Sequence, residues 1–476
     1  MASSKTLNVE NLAALGAARL AELLIDLAEG DAAMKRRLRL ELASQGGGAD
    51  VAAEIRKRLI SIARSRSFLD WQKVEPLARD LDTQRLAIIA HVAPTHPMEA
   101  FELLWRLLDM ASSIYERCDD SNGTIGCVMG QALDDVGTVA SQTGHDAAWL
   151  ADRVYDGVRS NDYGQFDGLI PLVAPALGSD GLAILKAKFE TLGSEPTTPT
   201  KDDRKIIGIS SRGPIFEDDY ASRRHALLVQ SALAEIADAL GDVDGYASLH
   251  SEEERANPAI AARIAERLLA AGRPAETLAA LERASPQNHG GGRWPDWQRV
   301  RIDALEASAM LEDAQRERWQ IFEQSLHSDY LKAFIKRLPD FDDVEAERRA
   351  LDYARQFPDF HQALSFLIEW PALGQAAELI LTRHQELDGD LYWLLTPAAE
   401  ALEQRHPLAA TLLLRAMIGF ALDKARYKRY PHAARHLQTC EHLARKIDVF
   451  DDHKDHEAYV ALLKARHGRK SGFWNT

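Results

Sequence analysis

The sequence predicts an all-α protein, with an N-terminal helical domain followed by tetratricopeptide-like repeats of an α-solenoid. Apolar residues recur at helical spacing over most of the 476 residues. Sustained alternation of apolar and polar residues, which is typical of strands, is missing. Turn signals in the C-terminal half recur at the length of a two-helix repeat. A chain of this length exceeds one ordinary hydrophobic core, so several domains or a repeat array are expected.

Amphipathic helices follow one another in the N-terminal region. The segment "NLAALGAARLAELLIDLAEGD" places leucines at helical spacing and is closed by Gly30. The segment "ADVAAEIRKRLISIARS" turns Val51 and Ile55 to one side, and "MEAFELLWRLLDM" does the same with Phe101. These patterns predict an N-terminal helical domain over residues 1–192.

The helical pattern breaks at residues 193–219, "GSEPTTPTKDDRKIIGISSRGPIFEDD". This stretch is rich in glycine, proline and aspartate, which predicts a linker or long loop. Within it, "KIIGIS" is the best strand candidate of the chain.

Helical repeats are predicted over residues 220–476. Pro339 and Gly374 mark turns 35 residues apart, and the turn at Pro407 follows 33 residues later. Alanines recur beside these turns, where helices would pack closely. A two-helix unit of this size cannot bury its own apolar face, so neighbouring units are expected to stack.

The formal net charge of −15 argues against a protein that coats nucleic acid with its whole surface. Two regions, 35–73 and 424–446, are nevertheless basic, and Phe68, Trp71 and two tyrosines lie among their cations. Such clusters suit a phosphate-contacting surface with stacking partners. The alternative is solvated helix faces paired with the acidic remainder of the chain. The predicted binding residues are Arg37, Arg56, Lys57, Arg66, Lys424, Arg426, Lys428 and Arg429.

Cysteine usage and the polar first residues predict a cytoplasmic protein. The three cysteines, Cys118, Cys127 and Cys440, are expected to be reduced thiols without disulfides. The most apolar stretch, "TLLLRAMIGFAL", is short and interrupted by Arg415, so no association with a membrane is expected.

The stretch "RYPHAARHLQTCEHLARKI" raises the question of a metal site, because spacings of four stack side chains on one helix face. At 100° per residue the apolar stripe centres near Cys440, which predicts a buried thiol, and His442 falls on the opposite side. His436 lies within the edge of the stripe. We therefore expect no metal and no cofactor; the alternative is a pair of His432 and His436 with an outside ligand.

Linear signatures of phosphate loops, dinucleotide sites, nucleophile elbows and zinc proteases are missing, which favours a non-enzymatic protein. Two enzymatic alternatives stay open: a nuclease using Arg85 and His91, or a metal-dependent hydrolase using His145 and Asp146. The acidic loop 116–126 is interpreted as a structural turn in preference to a cation site.

A family resemblance rests on "LRLELAS", "IARSRSFLDWQK", "YERCDDSNGTIG", "DFDDVEAERRALDYA", "HPLAATLLLRAMI", "RYPHAARHL" and "HGRKSGFW". These stretches are similar to a bacterial family of unknown function, over most of the chain outside 193–219. The resemblance implies a helical-repeat fold in a bacterial cytosol and brings no activity. Some members are described alongside SWIM-type zinc fingers, whereas this sequence has no Cys-x-Cys pair.

The expected function is that of an interaction or scaffold protein, since helical arrays present extended grooves without special residue chemistry. Its expected partner is a protein. The main alternative is association with nucleic acid or another polyanion through the two basic clusters. The oligomeric state is left open, and fold alone assigns no function.

Overall fold

The computed structural model describes residues 7–195, 206–210, 213–286 and 292–475. It divides into two compact units, an N-terminal unit (Met1–Arg255) and a C-terminal unit (Ala256–Thr476). Both units are built from helices, so the predicted all-α fold class is confirmed.

Helices make up most of the N-terminal unit, with one π-helical turn at Ile88–Val92. These helices are α1 (Val9–Ala13), α2 (Ala17–Ala28), α3 (Ala32–Ser44), α4 (Gly48–Ala63), α5 (Trp71–Ala87), α6 (Pro97–Asp109), α7 (Ala111–Tyr115), α8 (Thr124–Ala140), α9 (Ala147–Arg159), α10 (Leu169–Ser194), α11 (Glu217–Leu240), α12 (Val243–Ser248) and α13 (Glu252–Arg255).

Large aromatic side chains fill the core of the N-terminal unit. The ring of Trp105 lies 5.4 Å from that of Phe101 and 5.0 Å from that of Phe166, and all three residues are buried. Gly157 on α9 makes room for this cluster, because a Cβ atom there would lie 2.7 Å from the Trp105 ring. Helix α6 therefore packs closely against α9, where Phe101 also contacts Trp149, with ring centroids 5.8 Å apart.

Helix α10 is the described helix that is long and apolar enough to cross a membrane, by length and composition. Its backbone is broken at Gly178, where φ is 59° and ψ is −174°. It packs against α8, α9 and α11 within the N-terminal unit. These contacts are those of a core helix, and a span judged on composition alone is weak evidence.

The segment 193–219 contains the hairpin of β1 (Ile206–Ser210) and β2 (Gly213–Phe216), which pair antiparallel. The strand predicted at "KIIGIS" is thereby confirmed, and residues 196–205 and 211–212 lie outside the described part. The boundary between the compact units lies later in the chain, after Arg255, because α11 packs along α10 and belongs to the same unit. Which segments fold independently stays a prediction.

In the C-terminal unit, successive helices pack against one another, with short 3₁₀ turns at His384–Glu386 and Tyr427–Arg429. These helices are α14 (Pro258–Ala270), α15 (Pro274–Arg283), α16 (Pro295–Ala307), α17 (Leu311–Ser325), α18 (Ser328–Ile335), α19 (Asp342–Arg355), α20 (Phe360–Glu369), α21 (Leu373–Arg383), α22 (Tyr392–Leu402), α23 (Pro407–Asp423), α24 (Tyr430–Ala444), α25 (His456–His467) and α26 (Ser471–Trp474).

The predicted two-helix repeats are present as the pairs α19–α20, α21–α22 and α23–α24. The pairs begin at residues 342, 373 and 407, which are 31 and 34 residues apart. Helix α21 contacts both α19 and α23, as a stacked array requires. Ala376, Ala377, Ala409 and Ala410 are buried at these interfaces, which confirms their expected role. The same prediction is wrong for Ala275 and Ala279 near Gly272, because both are exposed.

Candidate anion-binding pocket

A pocket of about 320 Å³ opens in the C-terminal unit between α22, α23 and α24. Two of the predicted binding residues, Lys428 and Arg429, lie on its wall together with His432 and His436. The remaining lining residues are Gly389, Tyr392, Thr396, Met417, Ala421 and Ala433.

Helix α24 presents His432 and His436 to the pocket, on the side where the angular pattern places its apolar stripe. Pro431 lies in the first turn, where its missing N–H costs no hydrogen bond. Cys440 is fully buried, as expected, and burial raises its pKa to about 12, so the thiol is inert. His436 is half-buried, and His442 is exposed on the other face of the helix. The predicted division of this helix into an apolar and a solvent face is confirmed.

The loop before α22 shapes the pocket through Gly389. A Cβ atom on this residue would lie 2.1 Å from the carbonyl oxygen of Ala416, so only glycine allows the loop to rest on α23. This contact holds Asp390 where its Oδ1 accepts a hydrogen bond from Arg429 Nη1 at 2.7 Å. The Arg429 guanidinium also stacks on Tyr392, 4.9 Å from the ring centroid. Arg429 is therefore held in place on the pocket wall.

The pocket carries more positive than negative charge. Lys428 is exposed, and its side chain has no hydrogen bond or ion pair with any residue that the structure describes. Burial lowers the pKa of His436, and the neighbouring His432 and Arg435 lower it further, so His436 is neutral at pH 7. The apolar side of the pocket includes Met417. An anionic group attached to an apolar body suits such a cavity.

The other predicted residues of the second basic cluster lie outside this pocket. Lys424 and Arg426 are exposed, and the described part of the chain offers their side chains no partner. Tyr427 is 71% exposed, which keeps its ring accessible, whereas Tyr430 is buried and lies 6.4 Å from the ring of Phe473. The interpretation of Tyr430 as a stacking partner is wrong, because it forms part of the core.

The first basic cluster lies on α3, α4 and the turn before α5. Arg56 forms an ion pair with Glu99, and Lys57 pairs with Glu54 at 2.6 Å. Arg37 is exposed without a side-chain partner among the described residues.

Arg66, at the end of this cluster, is exposed and has no side-chain partner within the described ranges either. Phe68 and Trp71, which follow it, are 67% and 60% exposed. A cation beside two accessible rings is the surface feature that the nucleic-acid alternative needs.

Two residues of the enzymatic alternatives, Arg85 and His145, are held in structural contacts. Arg85 donates to Asp135 at 2.7 Å and to Asp82 at 2.8 Å. His145 stacks on Trp149, with ring centroids 3.8 Å apart, and burial lowers its pKa. In the part of the chain that the structure describes, no group of three or more histidine, cysteine or acidic residues is arranged to hold a metal ion.

The acidic loop 116–126 forms the start of α8. Asp120 accepts hydrogen bonds from the backbone N–H groups of Ile125 and Gly126, each at 3.0 Å. The interpretation of this loop as a structural turn is confirmed.

The model of the family of unknown function DUF6880 matches residues 2–476. The chain belongs to this family. The matched range covers both compact units of this DUF6880 member. None of the curated proteins matches it. A solved circular tandem repeat protein with novel repeat topology and enhanced subunit contact surfaces is similar at 15% identity over 94% of both chains. The TM-score of that similarity is 0.17.

The sequence indicated the charged residues of the pocket and gave little signal for its apolar side. Lys428 and Arg429 stood out because they interrupt an acidic chain with positive charge. Tyr392, Thr396 and Met417 carry no such signal, because they come from two neighbouring helices and converge only when the repeats stack. Gly389 is the exception, because a glycine between two aspartates in "LDGDL" indicates a tight turn.

Proposed function

We propose that this DUF6880 member is an interaction protein, and that the pocket in its C-terminal unit receives an acidic side chain of a partner protein. The observation that carries the proposal is the unpartnered Lys428 beside Arg429 at a concave, partly apolar pocket. Charged hydrogen bonds from the two cations would hold a carboxylate, and the apolar wall would accept the residues beside it.

The geometry supports a carboxylate in preference to a cation or a neutral group. Asp390 already neutralises one edge of Arg429, and this leaves the ammonium of Lys428 free to compensate the charge of a ligand. The stacked-helix array around the pocket offers room for an extended segment of a partner. The proposal includes a reducing cytoplasm, which the three free cysteines support.

The test compares two charge reversals that differ only in their place. Lys428→Glu changes the pocket wall, and Lys424→Glu makes the same change four residues earlier, outside it. The probe is an array of peptides that carry aspartate or glutamate between apolar residues, with asparagine or glutamine versions alongside. The Lys428→Glu chain should bind the acidic peptides about ten-fold or more weakly than the natural chain does. Lys424→Glu should bind them within about two-fold, since solvent screens its charge.

Three results would contradict the proposal: no binding of any acidic peptide, binding of amide versions as tightly as acidic ones, or equal losses in both variants. Equal losses would indicate a diffuse electrostatic surface.

Nucleic-acid association is a second candidate function, favoured by the exposed Phe68 and Trp71 next to Arg66 in the N-terminal unit. Stacking of bases on such rings contributes about 1–3 kcal/mol per base. A Trp71→Ala chain should then lose affinity for a single-stranded oligonucleotide, measured by fluorescence anisotropy at low salt. If the natural chain does not change the anisotropy of the oligonucleotide, this candidate function is removed.

A further inference from the structure

We propose that the N-terminal unit carries a separate binding site for inorganic phosphate, in the pocket lined by Arg36, Arg39, Lys57 and Arg58. The pocket lies between α3, α4 and α5 and has a volume of about 210 Å³. Pockets for drug-sized ligands occupy about 300–1,000 Å³, so this one suits a small ion. The proposal does not depend on the pocket of the C-terminal unit.

Asp80 organises the cations from beneath the pocket. It is only 6% exposed, and its Oδ2 accepts from Arg58 Nε at 2.9 Å and pairs with Arg36 Nη2 at 3.0 Å. One carboxylate thus holds two guanidinium groups in fixed positions at the pocket wall. Since a single negative charge cannot neutralise both, a positive charge is left over for a ligand.

Arg39 and Lys57 add positive charge at the opening of the pocket. The side chain of Arg39 is exposed and has no partner among the residues that the structure describes. Lys57 is bonded to Glu54 at 2.6 Å in a solvent-exposed pair, which contributes little energy and leaves the ammonium free to turn inward. Four cations against the carboxylates of Glu54 and Asp80 leave two positive charges, which match the charge of hydrogen phosphate.

Two buried polar atoms on the pocket residues lack partners within the described structure. Gln84 is 1% exposed, and its Nε2 donates to Asp80 Oδ1 at 3.2 Å, which identifies the other amide atom as the acceptor Oε1. This Oε1 and the Nε of Arg36 are both unpaired. An unpaired buried group destabilises the free protein, so a ligand that supplies both an acceptor and a donor gains binding energy here.

The need for a donor distinguishes phosphate from other oxyanions. Inorganic phosphate retains at least one proton at neutral pH, so one of its oxygens can donate to Gln84 Oε1 while the others accept from the arginines. Sulfate carries no proton. A phosphomonoester has a second pKa of about 6 and is mostly deprotonated at neutral pH, so it also lacks the donor.

Isothermal titration calorimetry of the full chain tests this site at fixed ionic strength and pH 7.5. Three probes are compared: inorganic phosphate, sodium sulfate and phenyl phosphate. Phosphate should bind at least about ten-fold more tightly than either of the others, which corresponds to one buried hydrogen bond. Gln84→Met should remove this preference by weakening phosphate alone.

Surface variants keep the test independent of folding. Arg39→Ala should weaken phosphate binding about ten-fold or more, because Arg39 has no structural partner to lose. Arg37→Ala, on the same helix but outside the pocket, is the matched control and should bind normally. The proposal is overturned if phosphate gives no heat of binding, if sulfate binds equally well, or if Arg37→Ala and Arg39→Ala weaken binding equally.

Discussion

The two compact units bury their helices in different ways. In the N-terminal unit, large side chains such as Trp105 and Phe189 fill the core, and Gly157 provides the matching space. In the repeats of the C-terminal unit, alanines such as Ala376 and Ala410 recur at the interfaces, beside larger side chains such as Phe366. Small residues allow the same close approach at each repeat, whereas every large side chain needs its own fitted surroundings. The recurrence of small residues at the start of successive pairs accompanies the regular stacking of α19 to α24.

Removal of a large buried side chain from the core of the N-terminal unit should cause the largest loss of stability. Trp105→Ala deletes a fully enclosed ring, which typically costs about 3–5 kcal/mol of unfolding free energy. Trp393→Ala, at a residue 63% exposed in the C-terminal unit, is the control and should stay within about 0.5 kcal/mol. Urea unfolding followed by circular dichroism measures the free energy of unfolding of both variants. Similar losses in the two variants would contradict this expectation.

Enlargement of a side chain should instead damage the repeats. Ala410→Leu forces extra methylenes into a closed helix interface, which typically costs about 1–3 kcal/mol. Ala458→Leu makes the same change at an exposed position of α25 and should be nearly neutral. A neutral Ala410→Leu in the same urea titration would indicate that the repeats tolerate wider spacing.

Acidification should weaken the C-terminal unit before the N-terminal unit. Burial lowers the pKa of His436, His453 and His456 below the ordinary 6.5, and in the N-terminal unit it lowers the pKa of His145. A histidine with a lowered folded-state pKa binds fewer protons than it does when unfolded. Its stabilising contribution is therefore full above pH 6.5 and is lost as the pH falls toward the lowered pKa.

Segment-resolved hydrogen exchange at pH 7.5 and 5.5 checks this expectation. Protection should fall more in α23–α25 than in α6–α9, after correction for the intrinsic effect of pH on exchange. His436→Leu should reduce the difference. Equal loss of protection in both units, or a larger loss around His145, would contradict the assignment of acid sensitivity to the C-terminal unit.

Removal of the Lys57 side chain should have the smallest effect on stability. Its ion pair with Glu54 is solvent-exposed, and such pairs typically contribute about 0–1 kcal/mol. Lys57→Ala should therefore unfold in urea almost as the natural chain does, with Arg37→Ala as an unpaired surface control. A clear destabilisation by Lys57→Ala would show that the first basic cluster supports the fold.

The periodicity of the sequence predicted the repeats well because alanines and turn residues recur at similar intervals around Gly374 and Pro407. The same pattern placed Cys440 in the core and His442 in solvent. The sequence could not predict which helices of the N-terminal unit pack together, since the fit of Gly157 to Trp105 depends on atoms 52 residues apart. The sequence predicted only the charged side of the pocket beside Lys428. The residues of that side lie close together in the sequence, whereas those of the apolar side come from separate helices.

If Lys428 recognises a negative charge on a partner, exchange of the charges on the two sides should exchange the binding preference. An acidic peptide selected with the natural chain is compared with its lysine-substituted version, by fluorescence anisotropy on the natural and Lys428→Glu chains. We expect the Lys428→Glu chain to lose its affinity for the acidic peptide and to bind the lysine version more tightly than the natural chain does. Unchanged affinity of Lys428→Glu for the acidic peptide would contradict it.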